Sequence, residues 1–165
     1  MIHERSIKEC PPTLLSGFDC GEEHLNLFLS SYAKQNDEKG YGRTFVLLED
    51  DALIGFYTLA SAQIEFAHIP GHLLKNLPRY PAPAIRIARL AVRKRSQGKG
   101  YGAILLKYAF KRILLAAINA GIAFVLVDAK ESARGFYEHY GFVRLTDESN
   151  LYVMPIATML KAVVG

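Results

Sequence analysis

Residues 85–92, IRIARLAV, pass without a break into RKRSQGKGYG and then into an apolar periodicity sustained from 103 to 120. This succession constrains the fold more than any other feature. A short β-branched apolar run suits a buried strand, whereas Ile104, Leu105, Tyr108, Ile113, Leu114, Leu115 and Ile118 recur at helical spacing. Gly121 is placed to end that helix, and residues 122–127 read as a second buried strand. Two strands joined through a long helix make a right-handed crossover, which calls for a sheet with a parallel pair.

The flanking segments extend this unit into a larger sheet. Asp19 is expected to cap a helix that fades near Asn36, with Glu22 completing a capping box and Leu25, Phe28, Leu29, Tyr32 and Ala33 recurring at helical spacing. Residues 43–48 and 53–63 read as a hairpin about Glu49, Asp50 and Asp51. The prolines at 70, 78, 81 and 83, with Gly71, exclude a regular element and mark an ordered excursion. A short helix over 131–140, a closing strand pair at 142–145 and 151–154, and a last helix complete the chain. The expected class is α/β (α+β): a mixed, mostly antiparallel central sheet of six to seven strands with helices on both faces. At 165 residues, one domain spanning 1–165 is expected.

Several function classes fall away on composition. Half the residues are hydrophobic and 22 % are charged, the balance of a folded protein rather than a disordered one. No apolar stretch approaches the roughly 18 residues of a membrane span, and the first ten residues lack a signal-peptide core, so a cytoplasmic, membrane-free protein is expected. Cys10 and Cys20 make neither a disulfide framework nor a zinc cluster. His68 and His72 are four apart, but Pro70 and Gly71 between them deny a shared helical face, and no metal is expected.

Charge is unevenly distributed. Residues 66–127 carry eleven of the 20 lysines and arginines and none of the 16 acids. Such a block implies a polyanionic partner. Within it, Gln97, Gly98, Lys99, Gly100, Tyr101 and Gly102 lie between the buried strand and the long helix. Alternating glycines clear side chains from the main chain, and the amides at a helix start converge on an anion that the helix dipole also favours. The spacing is neither the GxxxxGK[ST] of a Walker loop nor the GxGxxG of a dinucleotide fold.

Three segments, in order, carry a resemblance to a known family. Arg95-Ser-Gln97-Gly98-Lys99-Gly100 resembles the acetyl-coenzyme A signature of GNAT acetyltransferases. IARLAV resembles the strand before it, and Ala133-Arg-Gly-Phe136-Tyr137-Glu-His-Tyr-Gly141-Phe142 the late FYxxxGF motif. The resemblance implies that the backbone of Leu90, Ala91 and Val92 pairs with the pantetheine arm and that the amides of 97–102 take the pyrophosphate. It also implies cofactor contacts from Arg95, Ser132 and Phe136, with Tyr137 as the acid that protonates the departing thiolate. A phenol near pKa 10 remains protonated at neutral pH and can serve a thiolate whose conjugate pKa is about 8.5. No carboxylate stands on the stretch entering the loop, Glu65 being the nearest upstream, so a base is not evident. An α-amine near pKa 8 is already partly neutral at pH 7, whereas a lysine amine is not; the missing base favours an α-amine acceptor.

Beyond these motifs, FDCGEEHLNLFLSSYAKQN, GRTFVLLED and LIGFYTLASAQIEF resemble the toxin branch of the GNAT family. That resemblance implies acetylation of the α-amino group of an aminoacyl-tRNA, a block to translation, a ribbon-helix-helix antitoxin and a homodimer. One departure is Ala88, where the branch usually has glycine before RLAV. For RNA contact the candidates are Lys34, Arg43, Arg79, Arg86, Arg89, Arg93 and Lys94, some of which would instead serve the coenzyme 3′-phosphate. Two alternatives stand beside this reading: acetylation of a small amine or a protein N-terminus, and a non-catalytic module that binds acyl-coenzyme A.

Overall fold

The computed structural model describes residues 1–164, so Gly165, the last residue of the expected domain, lies outside the described residues. Among the described residues seven strands occur: β1 (Ile2–Ser6), β2 (Arg43–Glu49), β3 (Ala52–Ile64), β4 (Ala82–Val92), β5 (Phe124–Asp128), β6 (Val143–Arg144) and β7 (Leu151–Pro155). They form one open sheet in the order β1-β2-β3-β4-β5-β7-β6. The β1–β2, β2–β3, β5–β7 and β6–β7 pairs are antiparallel, and β4–β5 is parallel. The mixed, mostly antiparallel sheet expected from sequence is therefore present. Helices are α1 (Pro12–Ser16), α2 (Glu23–Leu27), α3 (Ala33–Glu38), α4 (Tyr101–Asn119), α5 (Arg134–His139) and α6 (Ile156–Val164). α4 connects the parallel pair, as a parallel connection requires. Among the described residues no helix is long and apolar enough to cross a membrane.

Chain contacts divide into two compact units, Met1–Ala60 with Ala88–Ala109, and Ser61–Ile87 with the described residues from Phe110 on. In the first, Ile7, Leu15, Phe18, Phe28, Leu29, Val46, Leu48, Phe56 and Ala91 form the core. Phe18 meets Phe56 edge-on at 5.5 Å and Phe28 stacks on it at 6.3 Å. Asp37, only 1 % exposed, accepts from Thr44 N at 3.1 Å and pairs with Arg43 and Lys8, tying α3 to β2. In the second unit Ile64, Ile69, Ala84, Phe124, Leu126 and Val153 pack together, and Phe110 stands 6.2 Å from Phe142.

Three local expectations are corrected. Asp19 does not cap the helix: its carboxylate accepts from Gly21 N at 2.9 Å and Asn26 Nδ2 at 3.0 Å, closing a turn, and α2 starts only at Glu23. Glu22 is the residue at the cap and makes no side-chain capping bond. The helix is also interrupted by a π turn over Phe28–Tyr32 before resuming as α3. Pro83, assigned to an irregular segment, lies inside β4. It is tolerated near the strand's beginning because its carbonyl still accepts from Ala123 N at 2.8 Å, so only the absent donor is lost.

Candidate active site

The ladder between β4 and β5 runs from Ala84↔Phe124 to Ile87↔Val127, and β4 continues five residues past its end, to Val92. Leu90 and Val92 are half-buried there and Ala91 is buried in the core of the first unit. A strand extending beyond its partner offers main-chain N–H and C=O groups to an extended ligand arm.

At Val92 the chain turns into the glycine loop, which is secured from its upstream side. Arg93 N donates to Ile54 O at 2.8 Å and Lys94 N to Asp19 O at 2.9 Å. Arg93 Nε donates to the buried Ser96 Oγ at 2.6 Å. Gln97 Nε2 donates to both Cys20 O and Val92 O at 2.9 Å, and its main-chain N–H donates to Lys94 O at 3.2 Å, so Gln97 holds the loop and, against the sequence expectation for 97–102, its own amide is already spent. Gly98 and Gly100 adopt φ of +76° and +90°, and a Cβ at either would meet no atom within 4 Å. These glycines are required by backbone conformation, and the space over them is open. Gly102 falls within the first turn of α4, which begins at Tyr101, two residues earlier than the sequence suggested. The first amides of a helix have no intrahelical acceptor, and here they follow two left-handed glycines. The arrangement fits a diphosphate. Tyr101 hydroxyl donates to Glu49, whose hydrogen bonds push the phenol above its ordinary value.

A cavity of about 490 Å³ adjoins this segment, lined by Leu14, Phe18 and Leu53 and by Arg93, Lys94 and Arg95. Three cations against one carboxylate, that of Asp19, beside apolar side chains suit a phosphate carried on a flat body. Lys94, Arg95 and Lys99 are exposed.

In the second unit, Tyr137 of α5 is 5 % exposed, with Phe136 and Phe142 edge-on to its ring at 5.1 and 5.6 Å. Burial alone pushes its phenol well above the ordinary value near 10. Phe136 is half-buried and also meets Tyr140 at 5.3 Å, and Ser132 is exposed in the turn before α5.

The proposed RNA contacts prove unequal. Arg79 is exposed, next to Tyr80 at 65 % exposure. Lys34 is half-buried on α3. Arg89 lies over the Phe28 ring at 3.6 Å, a cation–π contact. Arg86 pairs with Asp128 at 2.5 Å, and Arg43 is engaged by the carbonyl and carboxylate of Asp37. Those two have structural partners that the sequence reading did not foresee.

A family described as acetyltransferase (GNAT) domain matches residues 40–144, from three residues before β2 to the end of β6. The chain belongs to the GNAT acetyltransferase family. Among curated relatives of this GNAT chain is a tRNA-acetylating toxin of Mycobacterium tuberculosis, 36 % identical over 152 residues that cover 92 % of this chain and 90 % of the relative. Solved structures include AtaT complexed with acetyl-methionyl-tRNAfMet, at TM-score 0.88 and 28 % identity, covering 98 % of this chain and 99 % of that one. A Tyr-to-Phe mutant of AtaT bound to the C-terminus of the antitoxin AtaR and acetyl-CoA matches at TM-score 0.82 and 26 % identity, over 100 % and 99 % of the chains.

In this GNAT chain, sequence motifs marked the glycine loop of the first unit but gave no sign of the contacts that Glu49 and Phe28 make there. Glu49 reads as a turn residue and Phe28 as core, because their partners Tyr101 and Arg89 are 52 and 61 positions away. Tyr80, exposed in the second unit, directly follows a cation in the acid-free block.

Proposed function

We propose that this GNAT enzyme transfers the acetyl group of acetyl-coenzyme A to the α-amino group of an aminoacyl-tRNA, acting in the cytoplasm as the toxin of a toxin-antitoxin pair. One acetyltransferase domain spans 1–165, and the active form is a homodimer neutralised by a ribbon-helix-helix antitoxin. The observation that carries the donor assignment is the continuation of β4 beyond its ladder into the left-handed glycines ahead of α4. Leu90, Ala91 and Val92 present main chain to the pantetheine arm. The amides of Gly98, Lys99, Gly100, Tyr101 and Gly102 receive the pyrophosphate, with Arg95 nearby in sequence to offset charge, and Ser132 and Phe136 add contacts at the thioester end.

In the reaction the neutral amine attacks the thioester carbonyl carbon, the C–S bond breaks, and Tyr137 donates a proton toward the departing thiolate. The proton that the amine gives up as the amide forms restores, through solvent, the one that Tyr137 has lost, so the count balances. Burial keeps Tyr137 protonated through the neutral range. The acceptor assignment is supported by the acid-free cationic block, by exposed Arg79 and Tyr80, and by the named activity of the Mycobacterium tuberculosis relative. Arg89, Arg93, Lys94 and Lys34 are the further cations proposed for RNA or the coenzyme phosphate. Metal has no place in this chemistry.

Incubation with labelled acetyl-coenzyme A and total charged tRNA tests the proposal. Label is expected on an aminoacyl-tRNA, and Tyr137→Phe is expected to lower the rate by about 10² to 10⁴. Transfer to small amines but not RNA would overturn the acceptor, and full activity in Tyr137→Phe would overturn the acid.

A further inference from the structure

The glycine loop has little lateral support of its own. Residues 97–100 are exposed, and Gly98 and Gly100 have no atom within 4 Å of the side-chain position. Its upstream end is fixed by the two bonds of Gln97. At its downstream end Tyr101, the first residue of α4, places its hydroxyl 3.0 and 2.9 Å from the two carboxylate oxygens of Glu49. Glu49 is a rigid anchor: it is the last residue of β2 and is paired with Ile2 of β1 on one side and Ala52 of β3 on the other. A hydrogen bond to a carboxylate is among the stronger polar contacts available to a partly exposed side chain.

We propose that Glu49 is a positioning residue for coenzyme binding: acting through Tyr101, it fixes the first turn of α4 and so aims the amides that receive the pyrophosphate. The proposal rests on the acetyl-coenzyme A reading above. Electrostatics sharpens it, because a carboxylate near a diphosphate site opposes anion binding. If Glu49 acted only through its charge, removing it would tighten the coenzyme. If it acts as a brace, removing it loosens the coenzyme, and a neutral acceptor in its place retains part of the effect.

The test uses the full chain and its Glu49→Ala, Glu49→Gln and Tyr101→Phe variants, with coenzyme A binding followed by calorimetry and acetyl transfer by steady-state kinetics. Glu49→Ala and Tyr101→Phe are each expected to weaken binding and raise the acetyl-coenzyme A KM by roughly three- to tenfold, with kcat and the acceptor KM unchanged. Glu49→Gln, which keeps an acceptor for the phenol, should lose less. The double variant Glu49→Ala with Tyr101→Phe should be no worse than either single change, since the two remove one contact. A phenol titrating lower in Glu49→Ala than in wild type, and absent from Tyr101→Phe, would show that the contact exists in solution. Tighter binding in Glu49→Ala, unchanged binding, or additive losses would each overturn the brace while leaving the coenzyme assignment intact. Wild-type protein that binds no coenzyme A would overturn both.

Discussion

A Cβ on Gly55 of β3 would lie 2.5 Å from the carbonyl oxygen of Ala91 on β4 and 2.8 Å from Leu105 Cδ1. Backbone cannot yield as a flexible side chain can, so Gly55→Ala must push the two strands apart or displace α4. We expect a loss of about 2–3 kcal/mol in stability, read as a lower urea midpoint. Ala91 belongs to the strand end assigned to pantetheine, so coenzyme affinity should fall in the same variant.

Gly100→Ala is the contrasting case. Nothing crowds the position, but φ of +90° is strained for any side chain. The strain is about 1–2 kcal/mol, and the exposed loop can relieve it by moving. The melting temperature should therefore change little while coenzyme A binding weakens up to about tenfold, as measured by calorimetry.

Arg43 and Arg79 should separate stability from RNA binding. Arg43→Ala removes a partner of the buried Asp37 carboxylate and should cost about 1–3 kcal/mol of stability. Arg79→Ala should leave stability unchanged but weaken tRNA binding and reduce its salt slope. Equal effects on RNA with no loss of stability in Arg43→Ala would return Arg43 to the binding surface.

Tyr137 predicts an alkaline limit to stability. Its folded pKa is raised by burial, so its contribution is fully present below the unfolded value near 10 and is lost as pH rises from there toward the folded value. Urea midpoints of wild type should fall above about pH 10 more steeply than those of Tyr137→Phe, which has no proton to lose at that site. Parallel pH profiles would mean the ring is not desolvated in solution.

The strand, glycine loop and helix were legible because backbone conformation is set locally. A glycine at φ +90° beside one at +76°, a strand before them and a helix after are dictated by neighbours in sequence. The N-terminal helix was less legible. Asp19, Glu22 and the apolar spacing satisfied a capping rule, yet Asp19 is spent on Gly21 and Asn26, and its carbonyl on Lys94 N, 75 positions away. Propensity names a residue able to cap, but competing tertiary partners decide whether it does.

The sequence by itself determined the succession of strand, glycine loop, helix and strand, the mixed sheet it requires, and the cationic block. Those follow from periodicity, backbone preference and charge, which act over a few residues. Only the tertiary structure decided that Gln97 clamps the loop, that Arg43 serves Asp37, that Arg89 rests on Phe28 and that Glu49 holds Tyr101. Each of these joins groups distant in sequence or competing for the same partner, and which pairing prevails depends on strand register and packing that local sequence does not encode.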